Sequence, residues 1–292
     1  MSDKVITSYK GFDKNMQCRG FQYEVGKEYE MDGGIKCCNR GFHACKSPME
    51  VWDHYDMLNS RYAEVEQSGK IDEVENSTKV CSSRIKIKAE LKLADIINIG
   101  VEWLKDITSP YKVKADGALN DNGDRRKQIG SSGDSAQIGS SGDSAQIGSS
   151  GDSAKIGSSG YSAQIGSSGD YAKIGSSGDS AQIGSSGDSA QIGSSGYSAQ
   201  IGSSGYSAKI GSSGDYAKIN STGEDSVIMC AGNSSIVKAK VGSWITLTEW
   251  KWSDKKKRDV PVYVKTEYVD GENIKADTWY QLKNGKFVEV EE

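Results

Sequence analysis

The sequence predicts a mainly β protein: a central parallel β-solenoid of nine-residue repeats between an N-terminal α+β domain and a C-terminal β cap. Two observations carry this. Isoleucine recurs every nine residues from Ile129 to Ile228, and all six tryptophans and all four phenylalanines lie outside the uniform repeats. A fixed period marks a repeat architecture, and conventional cores belong where the bulky aromatics are. The expected divisions are a globular domain over 1–115, a junction or degenerate first coil over 116–128, the solenoid over 129–243, and the cap with a hairpin over 244–292.

The unit reads Ile-Gly-Ser-Ser-Gly-(Asp/Tyr)-(Ser/Tyr)-Ala-(Gln/Lys). Gly/Ser-rich composition alone would describe a flexible linker. A linker has no reason to hold one β-branched apolar residue and one alanine at fixed offsets over ten units. Alternation places Ala136 and Ile138 on one face and Gln137 on the other, and Ser141-Gly142-Asp143 supplies a turn whose glycine is free to take positive φ. Burying one isoleucine yields roughly 2 kcal/mol, whereas fixing nine residues costs on the order of 10 kcal/mol, so stacking is obligatory. Two repeats per 18-residue coil would give five coils from 129 to 218, about 24 Å long at ~4.8 Å each. A triangular coil of three repeats is the competing geometry.

The flanks follow ordinary rules. Strands are expected near Val5–Tyr9, Gln22–Tyr29, Arg61–Glu66 and Arg84–Leu91, the last because Ile85, Ile87, Ala89 and Leu91 alternate against charges. Ser47-Pro48-Met49-Glu50 reads as a capping box opening a helix that carries Val51, Trp52 and Tyr55. The bulky run Trp244–Trp252 is placed to cover the solenoid end, whose strand edges invite aggregation. Val260–Val269 supplies a further strand, and Asn284-Gly285 marks a type I′ hairpin. Lys255–Arg258 falls in a solvated turn between strands.

Charge and composition exclude several classes. Thirty-six Lys and Arg against 40 Asp and Glu leave a formal charge of −4, without the cationic surface that nucleic-acid binding needs. No run of 18 apolar residues and no secretory leader pattern occurs, so the reading is a cytoplasmic protein with no membrane partner. The six cysteines are too few for a disulfide scaffold and are expected to be reduced.

The variable repeat positions are the first candidates for binding. Tyr161, Tyr171, Tyr197, Tyr206 and Tyr216 offer exposed aromatic anchors beside Lys155, Lys173, Lys209 and Lys218, as interfaces prefer; covering solenoid corners is the competing role. Units one to five and six to ten are near-copies at 45 residues, an odd number of repeats. In a two-repeat coil the duplicated tyrosines and lysines therefore fall on opposite sides, which suits a spacer extended by duplication.

No cofactor is expected. Calcium-binding nonapeptide rolls read G-G-x-G-x-D-x-U-x, but from Gly130 this unit reads G-S-S-G-D-S-A-Q-I, with the acid one place early and the apolar residue one place late. An ice-binding threonine ladder is absent, since Thr222 is the only threonine near the block. Cys37, Cys38, His43 and Cys45 are candidate zinc ligands by chemistry, though their spacing matches no paired C-x-x-C arrangement. Cys45 or Cys38 with His43 or His54 is the candidate nucleophile and base. No phosphate loop follows Gly33-Gly34.

Tyr9-Lys-Gly-Phe12, Cys38-Asn-Arg-Gly-Phe-His-Ala-Cys45 followed by Ser47-Pro48 and Tyr55, and Tyr62-Ala-Glu-Val65 with Gly69 resemble an uncharacterised domain of bacteriophage and prophage proteins. Trp244–Trp250, Val269-Asp-Gly271 and Ile274–Tyr280 are similar to the tail that closes such proteins after a variable repeat block. The resemblance carries no catalytic residues; it implies a phage-encoded protein in the bacterial host cytoplasm. The function expected is a non-enzymatic interaction protein, an inhibitor of a host defence system such as CRISPR, with the solenoid as rigid scaffold and a host protein as partner; a homodimer is compatible. The alternatives are a structural fibre or adhesin component, and an enzyme in the N-terminal domain using His43 and Cys45.

Overall fold

The computed structural model describes residues 4–74, 77–107 and 128–291, and the chain divides into two compact units, Met1–Trp103 and Leu104–Glu292. The junction expected over 116–128 lies outside the described residues except for Gln128.

The first unit is built from β1 (Ile6–Phe12), β2 (Gln17–Cys18), β3 (Phe21–Gln22), β4 (Glu28–Glu30), β5 (Phe42–Cys45), β6 (Arg61–Glu73), β7 (Lys79–Leu91) and most of the helix α1 (Leu93–Ile107), which crosses the boundary at Trp103. Its sheet runs β4-β7-β5-β1-β6, and β6 also pairs with β7, so four strands close into a ring. Closure requires strong bending, which the 13-residue β6 and β7 achieve at register shifts near Glu64/Val65 and Ser68/Ile71. Phe12, Tyr23, Phe42, Val65, Val80, Ile85 and Ile87 pack inside. Gln67 is buried among them because every polar atom is used: its Oε1 accepts from Ser8 Oγ at 2.7 Å, and its Nε2 donates to Phe42 O at 2.7 Å and Ser82 Oγ at 3.1 Å.

Two expectations change here, and one element is new. The strand read over Gln22–Tyr29 is interrupted, since β3 stops at Gln22 and β4 starts at Glu28, with Gly26 at φ 85° between them. The helix expected from Pro48 is a five-residue 3-10 turn, Met49–Asp53, with Pro48 at its N-cap and no side-chain cap bond. Asp56 explains the early stop: its Oδ1 accepts from the backbone of Leu58 and Asn59 at 2.9 and 3.1 Å, a local turn that competes with helix. The long helix is α1 instead, with Ile96, Ile97 and Val101 fully buried and Gly100 against Met49, where an added Cβ would lie 2.9 Å from Met49 Cγ.

In the second unit each repeat forms one four-residue strand, and each strand pairs in parallel with the one 18 residues on: Gln146 with Gln164, Lys155 with Lys173. Two repeats therefore make a coil, and the triangular alternative is set aside. Strands alternate between two sheets, nine-stranded from Gln128–Ser131 and eight-stranded from Gln137–Ser140, through about seven turns. Ile and the third-position Ser point inward, with the isoleucines of both sheets meeting in one core.

The turn chemistry differs from expectation. The left-handed residue is the seventh of the unit, not a glycine: Ser144, Ser153, Tyr171, Ser180 and Tyr216 have φ of 55–57°. The fifth-position glycine serves close approach, since a Cβ on Gly178 would lie 1.9 Å from Gly160 O in the coil below. Coils only ~4.8 Å apart leave no room for a side chain between stacked turns.

The cap continues the solenoid. Trp244–Ser253 adds in parallel to Val227–Cys230 and then pairs antiparallel with Arg258–Tyr268. Tyr280–Lys283 pairs antiparallel with Ile236–Lys238, and the hairpin to Lys286–Glu289 turns at Asn284-Gly285, with φ of 51° and 68°. Ile245, Leu247, Val269, Ile274, Tyr280 and Leu282 close the core. The indoles of Trp244 and Trp252 do not plug the end; both are exposed.

Candidate functional site

The two sheets of the solenoid present different outer surfaces. On the nine-stranded sheet the outward glutamines are buried or half-buried: Gln146 and Gln164 are 4% and 2% exposed, and Gln128, Gln182 and Gln200 are half-buried. They form a ladder in which Gln128 Nε2 donates to Gln146 Oε1 at 3.0 Å and Gln146 Nε2 to Gln164 Oε1 at 3.1 Å. On the eight-stranded sheet Lys155, Gly157, Lys173, Gly175, Gln191, Gly193 and Lys209 are exposed. Three of the four repeat lysines thus share this face, and only Lys218 falls on the other sheet. A shallow groove of ≈ 500 Å³ runs along it between Gln137, Gly139, Lys155, Gly157 and Lys173.

Toward the cap this face becomes apolar. Val227 pairs with Trp244 and Trp244 with Tyr268, and the Trp244 and Tyr268 rings stand 5.1 Å apart. With Met229 these side chains form an exposed cluster in which Met229 is 56% and Trp244 50% accessible. Thr246 and Thr266 hydrogen-bond across the same surface at 2.8 Å. The sequence does not single out this cluster, because it arises from the register of two non-repeating strands.

All five candidate tyrosines are exposed. They lie on the two corner columns that border the sheets, Tyr161, Tyr197 and Tyr216 along one and Tyr171 and Tyr206 along the other. The Tyr197 and Tyr216 rings meet at 5.1 Å across adjacent coils. The duplicated pairs Tyr161/Tyr206 and Tyr171/Tyr216 take opposite corners, as an odd number of repeats requires.

The N-terminal unit holds a cleft of ≈ 1230 Å³ lined by Lys10, Cys18, Tyr23, His43, Cys45 and Tyr55, among others. Cys37, Cys38, His43 and Cys45 do not converge as zinc ligands; among the described residues no group of three or more His, Cys, Asp or Glu forms a metal site. Cys37 Sγ donates to Asp72 O at 3.1 Å, while His43 Nε2 accepts from the Cys38 backbone at 2.9 Å. Cys45 is a poor nucleophile, because burial, reinforced by Glu50, pushes its thiol up to about 12. Burial also holds His43 below the usual imidazole range.

The residue missed from the sequence is Lys10. Its side chain is buried, and its Nζ donates to His43 O at 3.1 Å and touches Tyr55 Oη at 3.4 Å and Cys18 Sγ at 3.5 Å. Burial, aided by Arg19, lowers its pKa below the usual lysine range. A lysine inside Tyr9–Phe12 carries no local signal of this, since its partners come from positions 18, 43 and 55.

A family model described as a domain of unknown function (DUF7666) matches residues 6–99, the sheet and cleft of the first unit. No curated protein and no solved structure matches the chain. Among the described residues no helix is long and apolar enough to cross a membrane.

Proposed function

We propose that the chain is a non-enzymatic protein-interaction protein that engages a host protein through the outer face of the eight-stranded sheet. The observation that supports this is the continuous face itself: exposed lysines at Lys155, Lys173 and Lys209 leading into the exposed cluster of Val227, Met229, Trp244 and Tyr268. Aromatic and methionine side chains are enriched at interfaces, and a clustered apolar patch on a soluble surface marks a binding region. The corner tyrosines border this face on both sides. The partner it fits carries an acidic strip beside an apolar pocket, so that the lysines steer encounter and the indole anchors it.

Phage origin and action against a host defence system rest on the resemblance of the terminal segments and are part of this proposal. The test is capture of a host protein by the purified full chain, compared with a Met229→Asp, Trp244→Ala double variant. Capture at least about tenfold weaker in the variant is expected for loss of hot-spot anchors. Equal capture by the two proteins, or no capture together with unchanged host resistance to phage, overturns the proposal.

A further inference from the structure

Lys10 and Cys18 stand at the two ends of a tight connection. The chain leaves β1, turns where the Asp13 backbone N–H donates to Gln17 O at 2.9 Å and Met16 takes φ 59°, and returns in β2. The amine and the thiol end 3.5 Å apart. Tyr55 Oη completes a triangle, 3.4 Å from the amine and 3.0 Å from the sulfur. The rings of Phe12, Tyr23 and Tyr55 surround the amine at 5.4, 5.6 and 5.8 Å. Both groups line the ≈ 1230 Å³ cleft, which gives small solutes a route to them.

We propose that Lys10 and Cys18 are a modification site, where a hydroperoxide drives formation of a covalent Lys10–Cys18 sulfenamide. The sulfur attacks one peroxide oxygen and the O–O bond breaks, giving a Cys18 sulfenic acid and water. The lone pair of the Lys10 amine then attacks that sulfur. The S–O bond breaks, and the departing hydroxide takes a proton from the nitrogen and leaves as a second water. Overall, one amine, one thiol and one H2O2 give one N–S bond and two waters; the sulfur is oxidised and the peroxide reduced.

Contact decides which group traps the sulfenic acid. The hydrogen-bond partners of Cys18 among the described residues are Lys10 and Tyr55. A phenol is the weaker nucleophile of the two at neutral pH, and burial raises the Tyr55 pKa further. Cys45, also in the cleft, is held as the unreactive thiol. Burial lowers the Lys10 pKa and so favours the neutral amine that the second step consumes. The cross-link ties β1 to β2 and removes the amine that touches both Tyr55 and His43 O in the cleft.

The test treats the full-length protein with a small excess of H2O2, alkylates free thiols, and maps the digest by mass spectrometry. The expected product joins the peptides carrying Lys10 and Cys18 with a loss of two hydrogens, about 2 Da, is reversed by dithiothreitol, and disappears in Lys10→Arg and Lys10→Met. In those variants Cys18 should advance instead to sulfinic acid. Cys18 found as free thiol, as sulfinic acid in the wild type, or as a disulfide to another cysteine overturns the assignment. The wild-type map decides the matter even where a variant folds poorly.

Discussion

The glycines of the repeat fall into two kinds that composition cannot tell apart. At Gly178 an added Cβ would collide with Gly160 O at 1.9 Å, while at Gly175, on the outer face, nothing lies within 4 Å. Gly178→Ala should therefore destabilise by about 3 kcal/mol, an overpacking cost, and lower the melting temperature. Gly175→Ala should be neutral or add about 0.5 kcal/mol, through loss of unfolded-state freedom. The inward serines make the opposite case: Ser167 Oγ is buried without a hydrogen-bond partner. Ser167→Ala should raise the melting temperature, because an unsatisfied buried hydroxyl costs about 1 kcal/mol or more. None of these three positions takes the positive φ, which belongs to the seventh place of the unit. Stacking distance claims glycine for the fifth place, and the left-handed seat two residues on falls to serine or, at Tyr171 and Tyr216, tyrosine.

At the level of elements, the corner carboxylates act as caps between coils. Asp170 Oδ1 accepts from the Asp188 backbone N–H and Asp188 Oδ1 from that of Tyr206, both at 2.8 Å. Asp188→Ala leaves the Tyr206 N–H without this acceptor and should cost about 1 kcal/mol, seen as earlier thermal unfolding, whereas Asp188→Asn keeps an acceptor and should restore most of it. The cap loop is pH-sensitive for a related reason. Asp270 accepts from the backbone of Glu272, Asn273 and Ile274 and from the Asn273 amide, which lowers its pKa to about 2. A depressed carboxylate stabilises above its unfolded value of ~3.9 and loses that contribution as pH falls toward about 2. Wild-type unfolding should therefore become easier between about pH 4 and 2, and Asp270→Asn should flatten that portion of the profile. Element type was legible where periodicity was strong, as in Arg84–Leu91 and the Asn284-Gly285 hairpin. It was not legible at Met49–Asp53, where the local bonds of Asp56 override the expected cap, nor at α1, over which no element is expected from the sequence.

At the level of the molecule, the coil rather than the repeat is the unit of assembly. Deleting residues 164–181 removes one coil and keeps every downstream strand in its own sheet. Deleting residues 173–181 removes half a coil and transfers every downstream strand to the opposite sheet, so that Lys209 would meet the buried glutamine ladder and Trp244–Ser253 would lose its place beside Val227–Cys230. The 18-residue deletion should retain cooperative melting by circular dichroism and, losing only Lys173 from the binding face, most host-protein capture, whereas the nine-residue deletion should lose both. Equal behaviour of the two would mean that the alternation of faces has no energetic consequence.

Strand, corner and the necessity of stacking all follow from a nine-residue period, because alternation and turn chemistry are local and one isoleucine cannot hold nine residues in place alone. Residue order along the chain does not say which outer surface meets water. Gln146 and Lys155 occupy the same place in the repeat, yet only the lysine is exposed. Nor does it bring Lys10, Cys18, His43 and Tyr55 together. Those meet because a bent sheet closes β6 onto β7 and carries distant segments to one cleft, and the energy of a buried amine depends on neighbours in space rather than in sequence.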